Sequence, residues 1–282
     1  MTVPTDGSVV QLPGRHDGLV LDLDGVVYRG RLAIPGAVEA LALLAAAGVP
    51  VAYATNNASR PPQDVAAHLT RLGIPSIADQ VVTSAEIAVD LLVEAVEAGA
   101  SVLVVGGPGL RQAVTARGFR LVARAAESPA AVVQGFAPET SWLDLAEASY
   151  ALQGGAVWVA ANTDLTFPSE WGIAPGNGTL VAAVSVATGR EPLVAGKPNP
   201  PILLAAARRT GAQHVLVVGD RLDSDIAGAN AAGLGSALVL SGVTGAEMVA
   251  TAPLGQRPDF VADDLLALVQ GRWSAQRGEP RG

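Results

Sequence analysis

The sequence predicts an α/β protein: a doubly wound parallel-sheet core with a second, inserted α/β cap domain. Three observations lead there. Short β-branched apolar runs alternate with Ala/Leu-rich helical stretches along nearly the whole chain. Each run stops at a glycine or a polar turn. The 282 residues amount to about two domains at about 150 residues each. Half of them are hydrophobic and only 16% charged, enough to build a large core.

The elements follow in order. Gly18–Leu23 reads as the first strand. Gly36–Ala47 is a helix closed by Gly48, and Val49–Ala54 is the next strand. Pro61–Leu72 has proline at its start and Gly73 past its end, the asymmetry expected of a helix. Val81–Thr83 is a short strand. Ser84–Ala98 begins on serine and carries Glu86 in its first turn, where the helix dipole favours a carboxylate. Strands at Val102–Val105, Ala131–Gln134 and Val157–Ala160 repeat the grammar. So do helices at Leu110–Ala116, Trp142–Leu152 and Thr179–Thr188. Strand His214–Val218, helix Asp223–Ala232 and strand Ser236–Leu240 complete it. Alternation of this kind gives a parallel sheet covered on both faces. We expect residues 1–14 as a disordered start, 15–85 and 190–282 as a Rossmann-like catalytic core, and 86–189 as the inserted cap.

Charge and composition narrow the classes. The balance is 18 − 26 = −8, with a pI near 4.9, which argues against a nucleic-acid or anionic-membrane surface. The absence of cysteine excludes disulfides, thiolate catalysis and zinc–thiolate sites, and fits a reducing compartment. Residues 1–14 lack a basic stretch followed by an apolar run. The longest apolar-rich stretches, Ala40–Ala54 and Ile226–Ala246, are broken by glycine or proline and do not make ~20-residue spans. A cytoplasmic protein is expected.

Ligands of open parallel sheets sit at the carboxyl ends of strands. Four polar groups follow apolar runs there. Asp22 and Asp24 stand at i and i+2, so on a strand they point the same way. Like charges that close repel unless a cation lies between them, and Mg²⁺ suits such oxygens; the bland alternative is a hydrophilic turn. Thr55-Asn56-Asn57 offers a hydroxyl, amides and turn N–H groups to an anion, or an Asx turn and helix cap. Lys197 is the only lysine among 18 basic residues. A compact ammonium approaches one phosphate oxygen as a point charge, which a planar guanidinium does less well; chance could also leave one lysine on the surface. Gly219-Asp220-Arg221-Leu222-Asp223-Ser224-Asp225 places three carboxylates in six residues, suited to the other side of a metal site or to a helix start capped by Asp223 or Ser224. Together, the acids would hold Mg²⁺ while the hydroxyl–amide turn and the ammonium hold an anion. That is a site for phosphoryl transfer.

These four motifs, in this order, resemble the haloacid dehalogenase superfamily of phosphatases. About 30 residues separate the first two motifs and ~140 separate Asn57 from Lys197, so the cap fits only in the second interval. That placement resembles the subfamily of nitrophenyl-, phosphoglycolate- and nucleotide phosphatases. Residues 54–60, 159–164 and 176–178 look most like actinobacterial glycerol 3-phosphate phosphatases. The resemblance covers Gly18 to Val269. It implies Asp22 as nucleophile and Asp24 as acid, then base. It implies Mg²⁺ held by Asp22, the Asp24 carbonyl, Asp220 and, through water, Asp225. Thr55, Asn56, Asn57 and Lys197 would bind the phosphoryl group of a small phosphorylated substrate. An acid at Asp24 needs a raised pKa, which a closed, drier site favours. Cap turns with Asn162, Asp164 and Asn177 are candidates for leaving-group contacts, with ordinary turns as the alternative. Caps of this group also serve as homodimer surfaces.

Other classes fit less well. Gly106-Gly107-Pro108-Gly109 hints at a dinucleotide fingerprint, but Gln112 holds the third glycine position. No phosphate-binding P-loop is present. A non-enzymatic phosphoacceptor or ligand-sensing module would want a long-lived aspartyl-phosphate, which Asp24 would shorten. His16, His68 and His214 read as structural. Glycerol 3-phosphate leads by resemblance, followed by phosphoglycolate, nucleotides and broad-specificity aryl or alkyl phosphates.

Overall fold

The computed structural model describes residues 10–169 and 171–276. The chain forms two compact units: one runs up to Ala54, takes in Ala66–Val81 and resumes at Leu203; the other comprises Thr55–Val65 and Val82–Ile202. The second unit takes in the 55–65 segment through contacts such as the Gly109 N–H donated to Ser59 O at 3.1 Å.

The first unit carries a seven-stranded sheet. Its spatial order is Ser274–Ala275, Phe260–Ala262, Gly235–Val239, Val215–Gly219, Gly18–Leu21, Val51–Thr55, Val81–Thr83. Ser274–Ala275 runs antiparallel to its neighbour, and the pairs from Phe260–Ala262 to Val51–Thr55 are parallel. The central strands are apolar on both faces because helices cover both: Leu19, Val20, Leu21, Leu216 and Val218 are wholly buried. From Gly18–Leu21 the chain steps outward one way, then returns to the opposite side at Val215–Gly219. The topological switch point therefore lies between these two strands, where Leu21 pairs with Val218.

Several local expectations shift. Of the start expected to be disordered, residues 1–9 lie outside the described residues, while Gln11 is attached: it bridges to Gln270 and donates its N–H to Val269 O at 2.8 Å. The Ser84–Ala95 helix is capped by Thr83, one residue earlier than Ser84, in a reciprocal box with Glu86 at 3.3 and 3.0 Å. Neither Asp223 nor Ser224 caps the turn after Gly219: Asp223 pairs with Arg221 at 2.8 Å. Asp225 takes that role, its Oδ2 accepting the backbone N–H groups of Asp220 and Arg221 at 3.2 and 3.0 Å. The segment is a π-turn, Leu222–Ile226, that runs on as the helix Ala227–Ala232.

The second unit has its own parallel sheet of five strands, ordered Leu193–Val194, Val157–Ala160, Ala131–Gln134, Ser101–Val105, Arg120–Val122. Helices Trp142–Gln153 and Asn177–Thr188 supply Leu152, Val181 and Val184 to a core that also holds Leu103, Val132 and Trp158. Each such aliphatic contributes about 1.5–3 kcal/mol by leaving water. A hairpin, Thr166–Ser169 with Gly172–Pro175, was not expected, since Pro168 and Pro175 weaken its strand signal. Among the described residues, no helix is long and apolar enough to cross a membrane.

Candidate active site

The acidic motifs meet at the first unit's switch point. Asp22 follows the Gly18–Leu21 strand and donates its N–H to Val218 O at 2.9 Å, which brings its carboxylate beside the end of Val215–Gly219. Asp22, Asp220 and Asp225 each present a carboxylate oxygen within 4.8 Å of the others. Asp220 and Asp225 are buried and Asp22 is half-buried. The backbone holds the two buried acids: Val243 N–H donates to Asp220 Oδ2 at 2.7 Å, and Asp225 accepts the two N–H groups described above. Asp24, two residues past Asp22, is exposed, in a turn closed by the Gly25 N–H donated to Tyr28 O at 2.8 Å.

Close packing fixes the Asp220 carboxylate. A Cβ on Gly242 would fall 1.9 Å from its Oδ2, and one on Gly25, at φ +86°, would fall 2.5 Å away. Only glycine lets both loops approach that side chain. An all-oxygen donor set of three carboxylates fits a hard divalent cation. Mg²⁺ with ~2.1 Å bonds places its oxygens at most about 4.2 Å apart, close to the spacing already present.

The other motifs belong to the second unit. Thr55 is buried, and its Oγ1 accepts the Asn57 N–H at 3.1 Å. Asn57 Oδ1 accepts from Ser59 N–H and Oγ at 2.9 and 2.6 Å, an Asx turn. Asn56 does not present its side chain to an anion: its Nδ2 donates to Lys197 O and to the Asp164 carboxylate. Lys197 is 3% exposed, so the lone lysine is no surface accident. Asn162 and Asn177, expected as leaving-group contacts, are buried with their Nδ2 groups donated to Asn56 O and Asn162 O, both at 2.7 Å. The glycines beside Asn177 serve close approach, since a Cβ on Gly178 would lie 2.1 Å from Thr163 O.

The histidines hold structure. His16 and Pro13 O are 2.6 Å apart, His68 contacts Gly30 O at 3.2 Å and stacks edge-on with Tyr28, and the His214 backbone N–H meets Asp17 Oδ1 at 2.7 Å.

A family model for the haloacid dehalogenase-like hydrolases matches residues 19–120, and a second model of the same kind matches 194–268. The chain is 48% identical over 255 residues to the D-glycerol 3-phosphate phosphatase of Mycobacterium tuberculosis, covering 90% of this chain and 71% of that protein. A crystal structure of a glycerol phosphate phosphatase from that organism in complex with magnesium superposes with a TM-score of 0.86 at 48% identity, covering 90% and 77% of the two chains. A 4-nitrophenylphosphatase from Thermotoga maritima gives 0.83 at 32% identity, covering 91% and 97%. Fold, motif order and these relatives agree, and the chain belongs to the haloacid dehalogenase-like hydrolases.

Proposed function

We propose that the protein is a Mg²⁺-dependent phosphatase that hydrolyses a small phosphate monoester, with glycerol 3-phosphate as substrate. The reading rests on one observation above all: the carboxylates of Asp22, Asp220 and Asp225 gather at the switch point of a doubly wound sheet. Asp22, Asp220, Asp225 and the Asp24 carbonyl would hold Mg²⁺, whose charge lets a carboxylate approach a phosphate dianion.

A carboxylate oxygen of Asp22 attacks phosphorus, and the ester P–O bond breaks. Asp24 gives its proton to the departing alkoxide. Asp24 then takes a proton from the water that attacks the aspartyl-phosphate, which releases inorganic phosphate and restores Asp22. Thr55, the backbone N–H of Asn56 and the Lys197 ammonium steady the transferring group, while Asn57, its N–H held by Thr55 Oγ1, shapes the turn that carries them. Residues 86–189, which lie within the second unit, act as the cap and supply substrate preference. Work on glycerol 3-phosphate would place the enzyme in glycerophospholipid metabolism in the cytoplasm, either alone or as a homodimer through the cap.

Ranking kcat/KM over glycerol 3-phosphate, phosphoglycolate, nucleoside monophosphates and p-nitrophenyl phosphate, with and without Mg²⁺, tests it. Glycerol 3-phosphate should lead, and only with the metal; turnover unaffected by chelation would end the reading. Asp24→Asn should slow turnover and leave a phosphoenzyme detectable by mass spectrometry in protein quenched during reaction with p-nitrophenyl phosphate. If no adduct accumulates, Asp24 is not the base.

A further inference from the structure

One primary amide holds both backbone groups of the lone lysine. Asn56 Oδ1 accepts the Lys197 N–H at 2.8 Å, and Asn56 Nδ2 donates to the Lys197 carbonyl at 3.0 Å. Two bonds to one residue fix its rotation as well as its place. The second hydrogen of Nδ2 goes to Asp164, whose carboxylate oxygens lie 3.0 and 3.2 Å away. Flipping the amide would set its oxygen against a carboxylate and a carbonyl, so the partners determine its orientation.

The clamp is itself anchored. The Asn56 carbonyl accepts from Asn162 Nδ2 and Ser84 Oγ, both at 2.7 Å. The Asp164 carbonyl accepts the Gly178 N–H at 2.8 Å, and Asn177 holds the Asn162 carbonyl. A Cβ on Gly196 would fall 2.6 Å from Asn56 Oδ1, so the chain before the lysine must stay bare.

We propose that Asp164 is a positioning residue for Lys197, acting through Asn56, and not a contact to the leaving group. A charge-assisted bond from the carboxylate polarises the amide and strengthens its grip on the lysine backbone. The inference rests on the phosphatase reading, in which the Lys197 ammonium meets the phosphoryl oxygens common to every substrate. Loss of Asp164 should therefore weaken all substrates alike.

The test compares Asp164→Ala with Asp164→Asn in the full Mg²⁺-loaded protein. Asp164→Ala should lower kcat/KM by about tenfold to a hundredfold, by the same factor for glycerol 3-phosphate and p-nitrophenyl phosphate. Asp164→Asn keeps an acceptor and the volume, so it should recover most of the loss. Because Lys197 is the only lysine, ¹⁵N-lysine labelling gives one backbone amide signal; in Asp164→Ala it should shift, and its hydrogen exchange should quicken. A loss confined to glycerol 3-phosphate would make Asp164 a leaving-group contact and overturn the proposal. So would an unmoved lysine signal in a folded variant. Should the wild type hydrolyse neither ester, the phosphatase reading fails, while the lysine signal still reports on the clamp.

Discussion

The two units use the same grammar with opposite results. Each winds a parallel sheet outward in two directions, and so each has a switch point: between Gly18–Leu21 and Val215–Gly219 in the first, between Ser101–Val105 and Ala131–Gln134 in the second. In the first, both strands hand over directly to aspartates, Asp22 and Asp220. In the second, they hand over to Gly106 and Gly135. A cavity of about 360 Å³ lies at the second crevice, lined in part by Arg111, Glu139 and Asp144. Two of these three charges are engaged locally: Arg111 donates to Val104 O and Gly106 O at 3.0 and 3.2 Å, and Asp144 accepts from Ser141 at 2.8 Å at the start of a helix. The strand–turn–helix pattern builds a crevice, and the residue that follows each strand decides whether it does chemistry.

The sharpest break in that comparison exchanges function for stability. Asp22→Asn should cut turnover by about 10⁴-fold or more and leave the circular dichroism spectrum unchanged, because the fold does not depend on that charge. Arg111→Ala at the other crevice should do the reverse: it should keep turnover while costing about 1 kcal/mol of stability for the bonds to two strand-end carbonyls. Steady-state kinetics with thermal melts reads both. Retained activity in Asp22→Asn would remove the nucleophile, and lost activity in Arg111→Ala would make the second crevice part of the machinery.

Smaller steps test single positions, one unit at a time. Lys197→Arg keeps the charge, but the site is buried and a guanidinium is broad, so kcat/KM should fall by about a hundredfold; near-wild-type kinetics would contradict the point-charge argument. Gly242→Ala pushes a methyl into Asp220 and should weaken Mg²⁺ binding by about tenfold or more, measured by titration. Gly99→Ala in the second unit is the control. Its φ is +75° but nothing lies within 4 Å of the added carbon, so it should cost some stability and leave Mg²⁺ affinity alone. Equal Mg²⁺ affinity in both variants would show that close packing around Asp220 does not position it.

The legible and illegible parts divide along the same line. Strands and the acids beside them are local signals: Gly18-Leu-Val-Leu followed by Asp22 can be read from its own neighbours. The alternation also pointed to the two-unit plan. The clamp was not legible. Asn56, Asp164 and Lys197 are polar residues far apart in the chain, and nothing in their spacing says that one amide would join them. Each looked like a ligand contact because a polar residue after a strand does so by default. The role of Asp225 was partly hidden too: an acid in a first turn suggests a cap for its own helix, yet it accepts backbone N–H groups from the residues just before that turn. Gln134 shows a further limit, since a polar side chain sits wholly buried at a position read only as strand.

The smallest predicted effect lies at the opposite ends of the same two central strands. Asp17 Oδ1 and Oδ2 accept the backbone N–H groups of His214 and Gln213 at 2.7 and 3.2 Å, and its own N–H donates to His214 O at 3.0 Å. The first of these bonds does most to hold its carboxyl below the usual range. A carboxylate with a lowered folded pKa stabilises the fold above its unfolded value, about 3.9. That contribution drains away as pH falls through the folded pKa. Asp17→Asn keeps the shape and one acceptor but has no such titration. Its melting temperature should therefore sit slightly below the wild type's at pH 7, and the gap should close below about pH 4, with Mg²⁺-dependent turnover unchanged at neutral pH. A gap that widened on acidification would mean that the amino ends of these strands are tied by something other than this carboxylate.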